Sequence, residues 1–193
     1  FDLFARRPAL SEGLEQYRNT SGAVLLDVRT PEKYRDGHLP GAKNLPLDRL
    51  DRAVVVSQYG EVLAEAGRLG CLPVLNCHPW EGISASIRLG LLAAKDADGA
   101  LFAVCDQPHL TTESILRLLN SFEKSPESIH ALSWQGRRGN PVVFPRALYP
   151  ELLALTGDTG GSAVLRRHPE RLRLVEAFSP NELLDVDNPE ALS

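Results

Sequence analysis

The chain has 193 residues, 43% hydrophobic and 24% charged, enough apolar material for one large α/β domain or for one domain plus a fragment. Its formal net charge of -4 speaks against a nucleic-acid partner, because such surfaces carry a basic excess. No apolar run approaches the roughly 20 residues of a membrane helix, and Phe1 to Arg7 lacks the order of charges and apolar residues of a secretory leader, so no membrane partner is expected.

The three cysteines, Cys71, Cys77 and Cys105, are too few and wrongly spaced for a disulfide framework or a zinc site. They read as reduced thiols of a cytoplasmic protein. Cys105 ends an apolar run and is expected to be a small buried residue.

A helix is expected over Leu10 to Arg18 and a strand over Ala23 to Val28. A short helical piece at Pro31 to Arg35 then leads into the turn His38-Leu39-Pro40-Gly41. From Ala53 onward strand and helix alternate. Strands are predicted at 53–57, 72–76 and 100–105, with helices at 61–69 and 82–94 between them. The second helix shows Ile83, Ile87, Leu91 and Ala94 at helical spacing. Thr111 caps a helix whose apolar face is Ile115, Leu118, Leu119 and Phe122. Strands at 129–133 and 141–144 flank a turn over 135–140. Helices follow at 148–155 and 163–167, and strands at 172–177 and 183–186 close the sheet. This alternation predicts a three-layer α/β fold with a mostly parallel sheet.

Four polar motifs stand at strand ends or in the loops after them. Asp106-Gln107-Pro108 follows the run Leu101 to Cys105, where open α/β sheets bind ligands, and Asp is a hard oxygen ligand suited to magnesium beside a phosphate. Glu81-Gly82-Ile83-Ser84-Ala85-Ser86 opens a helix with small residues and free N–H groups. Arg137-Arg138-Gly139-Asn140-Pro141 is either an anion clamp or a solvated hairpin tip. Thr156-Gly157-Asp158-Thr159-Gly160-Gly161 starts another helix, and Asp185 and Asp187 fall on one face of an extended segment. Such paired acids can share a divalent metal with Asp106.

The order Asn76, Trp80-Glu81-Gly82 to Ser86, Asp106-Gln107-Pro108, Gly139-Asn140-Pro141, Gly157-Asp158-Thr159-Gly160 and Leu184-Asp185-Val186-Asp187-Asn188-Pro189 resembles the molybdenum cofactor cytidylyltransferases, within the wider molybdopterin nucleotidyltransferases. The resemblance covers roughly residues 52–193. It implies a Rossmann-like nucleotidyltransferase sheet that transfers CMP, or a related nucleotide, from CTP or another nucleoside triphosphate to the phosphate of molybdopterin, with magnesium and release of pyrophosphate. It implies Asp106 and Asp187 as catalytic metal ligands. Gly82, Ser84 and Ser86 would bind the nucleotide. Gly139, Asn140, Gly157, Asp158 and Gly160 would bind the second substrate, although many relatives carry His where Asn140 stands.

Residues 1–51 are different. Asp27-Val28-Arg29, Glu32, Tyr34, Gly37-His38-Leu39-Pro40-Gly41 and Asn44 resemble the first half of a rhodanese-like domain. No cysteine here has the surroundings of that family's sulfur carrier. The glycine-rich, Arg- and Lys-bearing triphosphate loop that opens the nucleotidyltransferase family is also not found between Phe1 and Arg52. The expectation is therefore a partial rhodanese-like α/β segment joined to a nucleotidyltransferase-like domain of reduced catalytic capacity. The strand at 23–28 is one candidate for the missing first-strand place. The alternative is a non-catalytic pterin-binding or sulfur-relay module serving a molybdoenzyme or a sulfurtransferase.

Overall fold

The computed structural model describes residues 53–185 and, ahead of them, the backbone of two short strands. Those strands, β1 (Leu26–Asp27) and β2 (Lys43–Asn44), pair in parallel as a sheet of their own. The expectation that the strand at 23–28 completes the larger sheet is corrected here: among the described residues, Leu26–Asp27 is bonded to Lys43–Asn44 alone. The helices expected at 10–18 and 31–35, the turn at 38–41, and residues Arg29, His38, Val186 and Asp187 lie outside the described residues.

From Val54 the chain runs strand, helix, strand. β3 (Val54–Ser57) leads through α1 (Gly60–Arg68) to β4 (Leu72–Leu75), which pairs with β3 in parallel. A helix joins the two because parallel neighbours need a crossover. Next come α2 (Ile83–Ala93), β5 (Gly99–Phe102), α3 (Thr112–Lys124), β6 (Ile129–Trp134) and β7 (Arg137–Pro145). The short helices α4 (Tyr149–Leu153) and α5 (Ser162–Arg167) precede β8 (Leu172–Glu176). The larger sheet has the order β5-β7-β6-β8. β7 is antiparallel to both its neighbours, whereas β6 and β8 are parallel, so β5, β6 and β8 all run one way.

The alternation of side chains along β6 and β7 builds three layers. Ile129, Ala131, Val142 and Phe144 face Ile87 and Leu91 of α2, Leu152 of α4 and Val164 of α5. Leu132 and Val143 point the other way, onto Leu118 of α3, with Val175 and Ala177. His130 also points there. It is 1% exposed, its Nδ1 lies 2.9 Å from Ser121 Oγ and its Nε2 lies 3.0 Å from Ser125 O. This fits a ring that donates to the carbonyl and accepts from the hydroxyl.

Three local expectations are corrected. The strand expected to reach Cys105 stops at Phe102, paired with Val142. The next residue of β7, Pro141, has no N–H to continue the ladder. Cys105 is consequently exposed in a turn rather than buried at a strand end. The loop expected at 135–140 contracts to two residues, Gln135 (φ 48) and Gly136 (φ 79), and Arg137 to Asn140 join β7. Positive φ at both central residues is the requirement of a tight hairpin turn that matches strand twist. Finally, Leu183, expected to begin a strand at 183–186, ends a 3-10 turn over Pro180–Leu183 begun by Ser179 and Pro180, and Leu184 and Asp185 form no strand.

Leu118 is fully buried beneath the sheet. Leu118→Ala is expected to lower stability by about 2–5 kcal/mol, read from the urea midpoint, because neighbouring strands hold the cavity open.

Candidate active site

The carboxyl ends of β5, β6 and β8 and the amino end of the reversed β7 lie along one side of the larger sheet, the side where open α/β sheets place ligands. Asp106 sits there, exposed, four residues beyond the end of β5. Its neighbour Gln107 is 5% exposed and donates from Nε2 to Asp185 Oδ1 at 2.9 Å. One side-chain bond thus brings the Asp106 loop and the acidic segment after β8 together, across 78 positions of sequence.

Glu182 fastens the same two segments from inside. It is 1% exposed. Its Oε2 accepts from Thr111 N (3.1 Å) and Thr111 Oγ1 (2.7 Å), and its Oε1 from Phe178 N (2.9 Å) and Ser179 N (3.2 Å). Thr111 caps α3 as expected, accepting from Ser114 N at 3.2 Å while donating its hydroxyl to Glu182. Burial pushes the Glu182 carboxyl up. The facing Ser114 hydroxyl, which lacks a hydrogen bond of good geometry, and the Thr111 and Phe178 donors outweigh that, so the group titrates below the ordinary range. Sequence reasoning missed Glu182. The signal was the spacing Ser179-Pro180-Asn181-Glu182, a capping-box pattern.

The third contribution is the hairpin. Between Ala131 and Ser133 of β6 the register with β7 shifts, leaving Gly139 to Pro141 as a bulge. Bulges re-aim side chains and recur beside sites. A Cβ on Gly139 would lie 2.8 Å from Leu183 Cδ2, so the bulge rests against the segment that carries Asp185. Arg138 reaches across to Ser162 Oγ at 3.2 Å. Asp106, Asp185, Gly139 and Asn140 are therefore held in one neighbourhood.

A second group lies at the start of α2. Ile83 N donates to Asp158 Oδ1 at 3.3 Å and Ser84 N to Gly157 O at 3.2 Å. The N–H groups expected to be free for a ligand are thus engaged by the Gly157–Gly160 loop. Gly82 adopts φ +80, and a Cβ there would lie 2.5 Å from Gly157 C. Ser84 is fully buried. Its hydroxyl accepts from Arg88 Nη1 at 3.2 Å. Ser86 Oγ accepts from Asn76 Nδ2 at 3.1 Å, and Asn76 Oδ1 from His78 N at 2.9 Å. Gly160 is next to Ile83, with a virtual Cβ 3.9 Å from Ile83 Cγ2. Trp80 stands 76% exposed beside this clasp, edge-on to His78 with ring centroids 5.2 Å apart.

The Asp106 side suits a hard divalent cation. Its donors are the carboxylates of Asp106 and Asp185 and the buried Oε1 of Gln107, which has no hydrogen-bond partner. Among the described residues no group of three His, Cys, Asp or Glu side chains is arranged as a metal site. The three cysteines are free. Although Cys105 as a whole is exposed, the protein atoms crowded round its sulfur first, and then the Asp106 charge, push the thiol up, which makes it a poor nucleophile at neutral pH. No helix among the described residues is long and apolar enough to cross a membrane.

Residues 42–172 match the MobA-like NTP transferase domain, and residues 10–63 match the Rhodanese-like domain. A nicotine blue oxidoreductase of Paenarthrobacter nicotinovorans is 31% identical over 146 residues, 72% of this chain and 72% of that protein. A nucleotidyl transferase from Methanothermobacter thermautotroptrophicus superposes with a TM-score of 0.62 at 26% identity, covering 74% of this chain and 70% of the other. The Rv0371C protein of Mycobacterium tuberculosis, solved in complex with manganese, shares the fold with a TM-score of 0.53 at 21% identity over 82% of this chain and 78% of its own.

Two outcomes follow from the geometry. Gly82→Ala should cost about 1–3 kcal/mol, because it adds both left-handed strain and a backbone clash, and should make the 156–160 loop the first point of limited proteolysis. Glu182→Gln should lower stability by about 1–3 kcal/mol at pH 7. Because the folded-state value of Glu182 is depressed, its stabilisation is complete above the unfolded value of about 4.3 and disappears as pH falls through the folded value. Urea midpoints of wild type and variant should therefore converge under acid.

Proposed function

We propose, for a chain that belongs to the MobA-like NTP transferase domain family, that the Asp106 neighbourhood and the Gly82–Gly157 clasp are the two halves of a nucleotidyl-transfer site. The finer reading is transfer of CMP, or a related nucleotide, to the phosphate of molybdopterin. In that reaction an acceptor phosphate oxygen forms a bond to the α-phosphorus, the bond from that phosphorus to the β-phosphate bridge breaks, and pyrophosphate leaves. The observation that carries the reading is the Gln107–Asp185 bond, which ties the loop of Asp106 to the segment of Asp185 at the sheet end where a triphosphate would approach.

Within this reading Asp106 and Asp187 would hold magnesium, with Asp185, bonded to Gln107, as a further carboxylate on the same segment. The cation supplies charge neutralisation for the triphosphate. Gly82 and Ser86 lie against the base or ribose, with Ser84 shaping the turn from within. The bulge at Gly139 and Asn140 and the loop of Gly157, Asp158 and Gly160 face the acceptor. Arg138, held by Ser162, keeps the bulge and the start of α5 together. Without the family's triphosphate loop ahead of Val54, catalysis is expected to fall by several orders of magnitude, on the order of what lost positioning costs. The compartment that fits three free thiols is the cytoplasm.

The 31% relative is named an oxidoreductase, and that observation favours a second reading in which the same fold serves redox chemistry and releases no pyrophosphate. The third, a pterin-binding or sulfur-relay module for a molybdoenzyme or sulfurtransferase, rests on the rhodanese-like match at 10–63.

Isothermal titration with CTP and magnesium distinguishes them. Binding is expected with magnesium present and weakened by about tenfold or more, the equivalent of 1.4 kcal/mol, in Asp106→Asn. Failure of CTP, GTP and ATP alike to bind the full-length protein would refute the nucleotide reading. Pterin binding without any pyrophosphate release would favour the non-catalytic module.

A further inference from the structure

Arg88 touches both sides of the clasp. It lies one turn into α2 and is partly exposed, at 29% of its side-chain surface. Its Nη1 donates to Leu155 O at 2.8 Å and to Ser84 Oγ at 3.2 Å, while its Nη2 donates to Glu81 Oε2 at 2.8 Å. Leu155 ends the stretch after α4 and starts the loop of Gly157, Asp158 and Gly160. Glu81 and Ser84 flank Gly82 on the other side. The bond to Leu155 O spans 67 positions.

A guanidinium presents its donors in a fixed plane, so satisfying several acceptors at once orients them relative to one another. The Leu155 carbonyl, the Ser84 hydroxyl and the Glu81 carboxylate are thereby set against one rigid group. The bonds that Ile83 N donates to the Asp158 carboxylate and Ser84 N to the Gly157 carbonyl then form on top of an arrangement already fixed.

We infer that Arg88 is a positioning residue that couples the two loops, so that ordering the nucleotide-side turn at 81–86 also orders the acceptor-side loop at 155–160. This rests on the nucleotidyl-transfer reading above for the identity of what each loop holds. It does not rest on that reading for the coupling itself. Positive cooperativity between nucleotide and acceptor is the consequence, since whichever binds first meets the ordering cost for both.

Amide hydrogen exchange on the full chain, with wild type, Arg88→Met and Arg88→Lys, tests this. Arg88→Met keeps the aliphatic stem and removes every donor. In the absence of ligand, exchange in 83–85 and in 157–160 should accelerate together by about tenfold or more in Arg88→Met, with β6 and β7 unchanged. Arg88→Lys should give a smaller acceleration of both, since it keeps a donor but loses the fork. CTP with magnesium should protect both segments in wild type and only 83–85 in Arg88→Met, a difference that general loosening would not produce. Acceleration of one segment alone, equal acceleration in β6 and β7, or protection passed on undiminished in Arg88→Met would overturn the inference. If CTP with magnesium protects neither segment in wild type, the nucleotide reading fails, and the ligand-free exchange decides the coupling by itself.

Discussion

The buried carboxylate of Glu182 is the constraint on which the candidate site depends. A carboxylate removed from water is costly unless its oxygens are satisfied, and here four donors from two distant segments satisfy them. Two of those donors belong to Thr111, so the same residue that begins α3 also fixes how far the loop after β5 can travel before it must turn. The other two come from Phe178 and Ser179, and they decide where the chain goes after β8. The loop that carries Asp106 and the segment that carries Asp185 come together because these two paths are pinned to one group. Gln107 then closes the remaining gap.

The reversed strand β7 has a comparable effect on the scale of the sheet. In an all-parallel arrangement the turn between β6 and β7 would be replaced by a helical crossover, and the carboxyl end of the sheet would lose a hairpin. Because β7 runs back immediately, Gly139 arrives against Leu183, two residues before Asp185, with no intervening layer. The bulge at Gly139 to Pro141 then turns that stretch out of the ladder. The three-layer core, with Phe144 and Ile129 on one face and Leu132 and Val143 on the other, supplies the rigidity that a loop-built site lacks.

Much of this was legible in residue order. Helical spacing of Ile87 and Leu91 predicted α2, Thr111 predicted the start of α3, and the apolar run before Asp106 predicted β5. What was not legible was pairing. Pro141 ends the ladder for β5, which displaces Asp106 and exposes Cys105, yet nothing local to Cys105 announces its partner strand. Positive φ at Gln135 could not be foreseen from a residue type that seldom adopts it, so the turn was read too long. The small residues of 82–86 suggested open N–H groups. Their engagement depends on a loop 75 positions away, information that no window of sequence contains. The two domains proposed at 1–51 and 52–193 meet where the two family matches overlap, at residues 42–63, and the joint itself lies outside the described residues.

The contact between Gly82 and Gly157 bears on how such a protein can change its preferences. With 2.5 Å between a virtual side chain and the opposing backbone, neither loop can be remodelled while the other stays in place. Variation is thereby channelled into paired changes: a larger residue at 82 requires the opposite loop to withdraw, and a longer loop at 157 requires a different turn before α2. Grafting a new specificity from another member of the fold therefore calls for transplanting both segments together, with residue 88 among them, as one interchangeable cassette.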